Sequence, residues 1–278
     1  MLFRSTRSTL AESLADPRVR IVEGSITSPE LLATVMDGAG GVVHLAALWL
    51  FECVHQPRSA LEVNVEGTYN VVEAAANAKV KKLVYSSSAS VYGDALVTPM
   101  TEEHPFNNRT MYGATKIAGE QFLRSFNEQH GLNYTALRYM NVYGPRMDDR
   151  GAYVSVIMKV LDRIDQGQRP VIFGDGLQSY DFVHVADVAR ANVLAMKSDA
   201  ADECVNVGMG VKTTINELVQ RLLVLTGSTL TPEYRDAQMF VTHRVGSTEK
   251  ARRLLGFEAT VSLDDGLQSV VDWRRQSK

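Results

Sequence analysis

Tyr112 and Lys116 lie four residues apart, and Ser88, in the hydroxyl row Ser86-Ser87-Ser88-Ala89-Ser90, precedes Tyr112 by 24 positions. Together they supply a phenol, an ammonium and hydroxyls. On a helix, positions i and i+4 share a face. A phenol with a pKa of about 10 is a poor base at neutral pH, but a neighbouring ammonium favours its anion and draws the value toward the working range. Tyr112 is therefore a candidate acid/base, with Lys116 as the cation that tunes it. Any amphipathic helix can present one surface Lys and one half-buried Tyr at this spacing, so the pair gains meaning only from its surroundings.

Those surroundings are a short apolar strand, Lys81-Lys82-Leu83-Val84-Tyr85, that runs straight into the serines. In open parallel sheets ligands gather at the C-terminal ends of strands, which turns Ser88 toward a ligand crevice. The flanking segments support such a sheet. Residues 19–23 read as a strand, and Ser28-Pro29-Glu30 gives an N-cap, a first-turn proline and a first-turn acid to a helix ending near Met36. A strand is expected from Gly41 to Leu45, a helix over about 59–78, a strand at 82–86, a helix from Tyr112 to His130 closed by Gly131, and a strand from Tyr134 to Arg138. This alternation predicts an α/β fold with a right-handed parallel sheet. The C-terminal half is less regular, with a strand at 171–173 running into a turn, a strand at Phe182–Val185, and helices at Asp187–Met196 and near 214–226 and 247–255.

Composition narrows the functional classes. The chain of 278 residues is 45% hydrophobic with a net charge of -3, and its 29 Lys and Arg are outweighed by 32 acids, so no nucleic-acid partner is expected. Cys53 and Cys204 are too few for a disulfide framework or a zinc cluster, which fits a reducing cytoplasm. The six histidines show no metal-ligand spacing, and no metal is expected. No stretch reaches the length of a membrane span, and Met1 to Arg7 lack the apolar core of a signal peptide.

Six segments then occur in an informative order: Val42-Val43-His44-Leu45-Ala46-Ala47, Asn64-Val65-Glu66-Gly67-Thr68, the serine row through Tyr92-Gly93, Tyr112 to Lys116, Arg138-Tyr139-Met140-Asn141-Val142-Tyr143-Gly144-Pro145-Arg146, and Asp181-Phe182-Val183-His184-Val185. Across nearly its whole length the chain resembles the extended short-chain dehydrogenase/reductase family, in its nucleotide-sugar epimerase/dehydratase branch. The resemblance implies a Rossmann-like NAD-binding domain over about 1–140, with 181–200 returning to it, and a smaller region over 141–278 that mainly binds substrate. That family opens with a strand, a Gly-x-x-Gly-x-x-Gly turn and a helix whose N-terminus holds the cofactor pyrophosphate. Here the sequence joins after those elements, so the expected sheet lacks its first strand and phosphate loop. Gly38-Ala39-Gly40-Gly41 precedes a strand and reads as a turn, and the chain is expected to hold NAD weakly.

The resemblance also implies roles. Tyr112 exchanges a proton with a sugar hydroxyl while hydride passes between the adjacent carbon and a nicotinamide; Lys116 holds the nicotinamide ribose and Ser88 bonds the reacting oxygen. Ser25-Ile26 stand where the family reads adenine, without its usual charge. Leu45, Ala46, Ala47, Ser86 and Tyr139 line the cofactor. Asn64 either bonds cofactor or backbone or caps its helix. Asn141 and Arg244 are on the diphosphate side, an Arg fork being suited to phosphate. A second phosphate arginine usual before the Asp-aromatic pair is replaced by Tyr180. Ala89 and Ser90 occupy positions where dehydratases and decarboxylating relatives carry carboxylates, which disfavours 4,6-dehydration. The expected activity is that of an NAD-dependent epimerase of a nucleotide sugar, a UDP-sugar foremost. An NAD(P)H-dependent reductase of a keto-sugar or other carbonyl, and a non-catalytic protein without cofactor, remain alternatives. Relatives pair through two long helices, which here implies a homodimer through 59–78 and 111–130.

Overall fold

A computed structural model of the chain describes residues 10–148, 155–236 and 243–277; Met1 to Arg7, considered above for a signal segment, lie outside them. After a single helical turn at Ala11–Leu14 come helix α1 (Pro29–Met36), capped by Ser28 as expected, and strand β1 (Gly41–His44). Helix α2 (Leu50–His55) follows. The single helix expected over 59–78 is three pieces: one α turn at Pro57–Ala60, a π-helical stretch at Leu61–Glu66, and helix α3 (Gly67–Asn77). Strand β2 (Lys82–Ser88), helix α4 (Met111–His130) and strand β3 (Tyr134–Tyr139) complete the first half.

Strand β4 (Asn141–Tyr143), helix α5 (Val156–Asp165), strands β5 (Val171–Phe173), β6 (Ser179–Tyr180) and β7 (Phe182–His184), and helix α6 (Val185–Lys197) open the second half. After them come β8 (Glu203–Val207), β9 (Thr213–Thr214), α7 (Ile215–Thr226), β10 (Glu233–Arg235), β11 (His243–Arg244), α8 (Glu249–Leu255) and α9 (Leu263–Ser277).

The main sheet has the order β1-β2-β3-β8 and is parallel throughout. Helices cover both faces, as a parallel sheet requires. Leu83 and Tyr85 point into one layer with Leu32, Val72 and Leu123, from α1, α3 and α4. Val84 and Leu137 point into the other with Val188 and Ala191 of α6 and Leu255 of α8. A third core joins α5, α7 and α9 around Ile172, Phe182 and Tyr143. The sheet takes back 203–207 as a strand in addition to the helix within 181–200, because the alternating Cys204-Val205-Asn206-Val207 pairs with β3.

Residues 19–23, expected as a strand, form none. Val19, Ile21 and Val22 are 42%, 38% and 44% exposed. An apolar run becomes a strand only when another strand satisfies its backbone groups. In the described sheet β1 is an edge strand, paired with β2 alone. Helices 156–165 and 263–277 and strand 203–207 were not read from sequence, although the apolar positions of 156–165 recur at helical spacing.

Candidate active site

The first turn of α4 is built by local polar contacts. Thr110 caps it by accepting the Gly113 amide on Oγ1 at 3.1 Å, while Asn108 Oδ1 takes the Thr110 amide at 2.9 Å and its hydroxyl at 2.7 Å. Tyr112 therefore stands in the first turn, with Lys116 and Glu120 one and two turns on. Helix and serine row approach closely because residue 113 is glycine: a Cβ there would fall 2.5 Å from the Ser90 carbonyl oxygen. Ser88, still extended, ends β2 and accepts the Ser90 amide on Oγ at 3.1 Å, and its hydroxyl favours the Tyr112 phenolate.

Lys116 is buried, and its Nζ donates to the Ser86 carbonyl at 2.6 Å. It stands 5.0 Å from the centroid of the Tyr85 ring and 5.7 Å from that of Tyr112. Burial pushes the Tyr112 phenol up to about 12, against the pull of the Ser88 hydroxyl and the Arg244 cation. The expected drop driven by Lys116 is therefore not what this arrangement gives. Desolvation opposes both charged forms. Lys116 itself is lowered to about 8, chiefly by burial, with Cys53 and Glu120 raising it.

His44 ends β1 behind the lysine, with Nε2 hydrogen-bonded to the Thr68 hydroxyl at 3.1 Å. Burial, aided by the Lys116 charge, lowers it to about 3. An unfolded histidine takes up its proton near pH 6.5 and the folded one does not, so this group withdraws stability as pH falls from 6.5. The unfolding free energy of the protein minus that of a His44→Gln variant should drop by roughly 3 kcal/mol between pH 6.5 and 4. Chemical denaturation of both across that range measures it; a constant difference would mean that His44 is charged in the folded state.

The cofactor-side residues separate into two groups. Leu45 is 60% exposed at the C-terminal end of β1, and Ala46 and Ala47 follow it, half-buried. The Tyr139 hydroxyl donates to Asn192 Oδ1 at 2.9 Å, with Ser86 favouring its anionic form, and it lies within the field of Tyr112. Ile26 lies against Gly67, beside Thr68, and Ser25 bonds Thr27 at 2.8 Å; neither is brought against Tyr112 by a hydrogen bond. For Asn64 the structure shows the bond to backbone and not the helix cap. It is buried inside the π-helical stretch, so it caps no helix, and its amide is engaged by protein: Oδ1 accepts the Leu48 amide at 2.6 Å and Nδ2 donates to the Leu48 carbonyl at 2.7 Å and to Thr115 at 3.2 Å. It fixes the loop after β1.

On the other side, Asn141 begins β4 with its amide on the Asp181 carbonyl at 2.9 Å. Arg244 stands in register opposite Tyr180, donates from Nη2 to the Gly93 carbonyl at 3.3 Å, and keeps a buried Nε without a partner among the described residues. Its charge reaches Tyr112, which places it in the same crevice. Asp181 accepts the amides of Met209 at 2.7 Å and Gly210 at 2.9 Å, tying the loop after β8 to β7; burial pushes its carboxyl up to about 6. Sequence reasoning missed Ser87, Glu120, Arg138 and Tyr85, although Glu120 follows Lys116 by the same interval of four.

These residues fit a dinucleotide at the C-terminal ends of β1 and β2. The Lys116 cation lies at one end of the crevice, and Ala46 and Ala47 leave room beside β1. A parallel sheet with helices on both faces and a Tyr, Lys and Ser meeting at its strand ends defines a Rossmann-type dehydrogenase scaffold. The chain belongs to the NAD dependent epimerase/dehydratase family, which it matches over residues 2–208. It is thus an enzyme of the extended short-chain dehydrogenase/reductase kind, with NAD as cofactor. The putative UDP-glucose 4-epimerase of Methanocaldococcus jannaschii is 34% identical over 268 residues, covering 94% of this chain and 86% of that protein. The structure of UDP-N-acetylglucosamine 4-epimerase from Methanobrevibacter ruminantium, in complex with UDP-N-acetylmuramic acid, superposes with a TM-score of 0.90 at 32% identity, over 96% of this chain and 87% of that one. A dTDP-glucose 4,6-dehydratase from Streptomyces venezuelae with NAD bound gives a TM-score of 0.89 at 29% identity, over 99% and 85%.

Proposed function

We propose that the chain is a 4-epimerase of a UDP-hexose. The observation that carries this is the surroundings of Tyr112. The groups acting on it are Ser88, Cys53, Tyr139 and Arg244, and the residues after Ser88 are Ala89 and Ser90. Eliminating water needs an acid for the departing hydroxyl and a base for the carbon-bound proton in addition to the group that serves the reacting oxygen. Epimerisation needs only the latter. NAD bound beside Lys116 supplies the acceptor and donor of hydride. Tyr112 moves the proton at the sugar oxygen, Ser88 orients that oxygen, and the free Nε of Arg244 suits a phosphate of the nucleotide.

Incubation with NAD and, separately, UDP-glucose, UDP-N-acetylglucosamine and UDP-glucuronic acid should convert at least one to its 4-epimer. A 4-keto-6-deoxy product from any UDP-, GDP- or dTDP-hexose, without epimer, would replace this reading with a dehydratase.

Residues 1–140, with α6 and β8, form the cofactor side in this reading, and the rest of 141–278 the substrate side. The surface of the helix pair supports a homodimer. Leu61 and Tyr69 are 41% and 38% exposed, and with Val65 and Phe122 they line a groove of about 530 Å³. Light scattering should give twice the chain mass, and Tyr69→Arg should halve it; a monomer at micromolar concentration would remove the proposal. No helix of the described residues is long and apolar enough to cross a membrane, and both cysteines are free, which supports a cytoplasmic enzyme.

A further inference from the structure

We infer that the buried pair Glu120–Arg138 positions the acid/base group, holding the serine row in register on α4 and setting the charge that Lys116 meets. The inference rests on the function proposed above for Tyr112, Lys116 and Ser88, and it concerns residues that touch neither substrate nor cofactor.

Three consecutive serines dock on three successive turns of α4. Ser88 acts on the Tyr112 phenol, the Ser86 carbonyl accepts Lys116 at 2.6 Å, and Ser87 Oγ donates to Glu120 Oε1 at 2.5 Å. Glu120 Oε1 also accepts Arg138 Nε at 2.9 Å and its Oε2 accepts Nη2 at 2.8 Å, a fork-to-fork pair with side chains only 2% and 5% exposed. Arg138 Nη1 continues to the Tyr92 hydroxyl at 2.8 Å and the Glu102 carbonyl at 3.0 Å, and Tyr92 donates to Asn206 Oδ1 at 2.7 Å. The network thus joins β2, α4, β3 and β8 behind the crevice. A buried ion pair is poor evidence for stability, since apolar residues of similar volume often serve as well. What it does supply here is register. A slip of one residue in β2 would turn Ser87 toward the crevice and Ser88 away from Tyr112.

The electrostatic role follows from the neighbours of Lys116. Tyr112 and Glu120 face it from its own helix, Tyr85 and the Ser86 carbonyl from β2, His44 from β1 and Cys53 from α2. Burial raises both phenols and the thiol and lowers His44. Among these groups Glu120 is the carboxylate, and it raises the lysine. Arg138 sits behind it as the counter-charge. Removing Glu120 leaves a cation facing Lys116 through the gap, and removing Arg138 leaves an uncompensated anion. The two substitutions act on the lysine with opposite sign, although both weaken the fold.

That opposition is the test, because a purely structural role would not produce it. Lysine labelled with 13C at Cε gives a Lys116 resonance, assigned by its loss in Lys116→Met, whose titration is followed by NMR in the full chain. E120Q should lower the Lys116 midpoint and R138Q raise it, each by roughly one pH unit, and the double variant E120Q/R138M should return it close to the original value. Shifts of one sign in both single variants, or none in either, overturn the inference. If one single variant does not fold, the other compared with the double must still differ in the stated direction, and equality overturns it. Ser87→Ala, which keeps both charges, should leave the titration unchanged and lower kcat about tenfold at constant KM; unchanged kcat removes the register role. The titration needs no substrate, so its outcome is separate from whether epimerase activity is found with the unmodified chain.

Discussion

Tyr112→Phe should lower turnover by at least about a hundredfold, the usual scale for removing a positioned acid/base, with the affinity for the nucleotide sugar nearly unchanged. The substitution deletes one oxygen and keeps the ring, which packs in the first turn of α4 near Lys116. The Ser88 hydroxyl and the Arg244 cation both favour the anionic form of the lost oxygen. With the phenol at about 12 it carries its proton at neutral pH, so it is ready to protonate a developing alkoxide. The reverse transfer depends on Ser88 and the nearby cations to stabilise the phenolate, and this direction should be the more sensitive to Arg244. Steady-state kinetics with the 4-epimer pair measures both. Full turnover in the phenylalanine variant would take Tyr112 out of the mechanism.

Gly93→Ala is expected to destabilise the fold by about 3 kcal/mol or more and to lower Tm by roughly 6–12 °C. Gly93 follows the serine row at φ +70, a region that costs an L-residue about 1–2 kcal/mol. An added Cβ would also lie 2.7 Å from the Asn107 carbonyl carbon, and backbone bonded as the Asn107 amide is to the Tyr92 carbonyl at 3.2 Å cannot retreat cheaply. Arg244 rests on the Gly93 carbonyl, so the same change should weaken UDP-sugar binding in whatever protein remains folded. Calorimetric melting decides it; a Tm within 2 °C of the parent would mean that the turn can relax at little cost.

Most of the first half of the fold was legible because its signals are local. Ser28 and Thr110 cap α1 and α4 through side chains bonded to amides three residues on, and the runs 82–88 and 134–139 are apolar enough to be buried on both faces. The segment 19–23 shows the limit of such signals. Its composition is that of a strand, but pairing is a property of two segments, and the described sheet gives it no partner. For Asn64 the sequence left a helix cap and a bond to backbone or cofactor open, and burial against Leu48 decided for backbone.

By itself the sequence determined which chemical groups are present, the helical interval that brings Tyr112, Lys116 and Glu120 onto one face, and the strand that delivers Ser86 to Ser88 to the sheet's C-terminal end. The tertiary structure alone decided their electrostatic state. Tyr112 is raised and Lys116 lowered because packing removes water from both, and Arg244, 132 positions beyond Tyr112 in the chain, becomes the cation that acts on the phenol. Spacing along a helix fixes distance and face. Desolvation and charge fields depend on every element packed around a group, and those neighbours are assembled only by the fold.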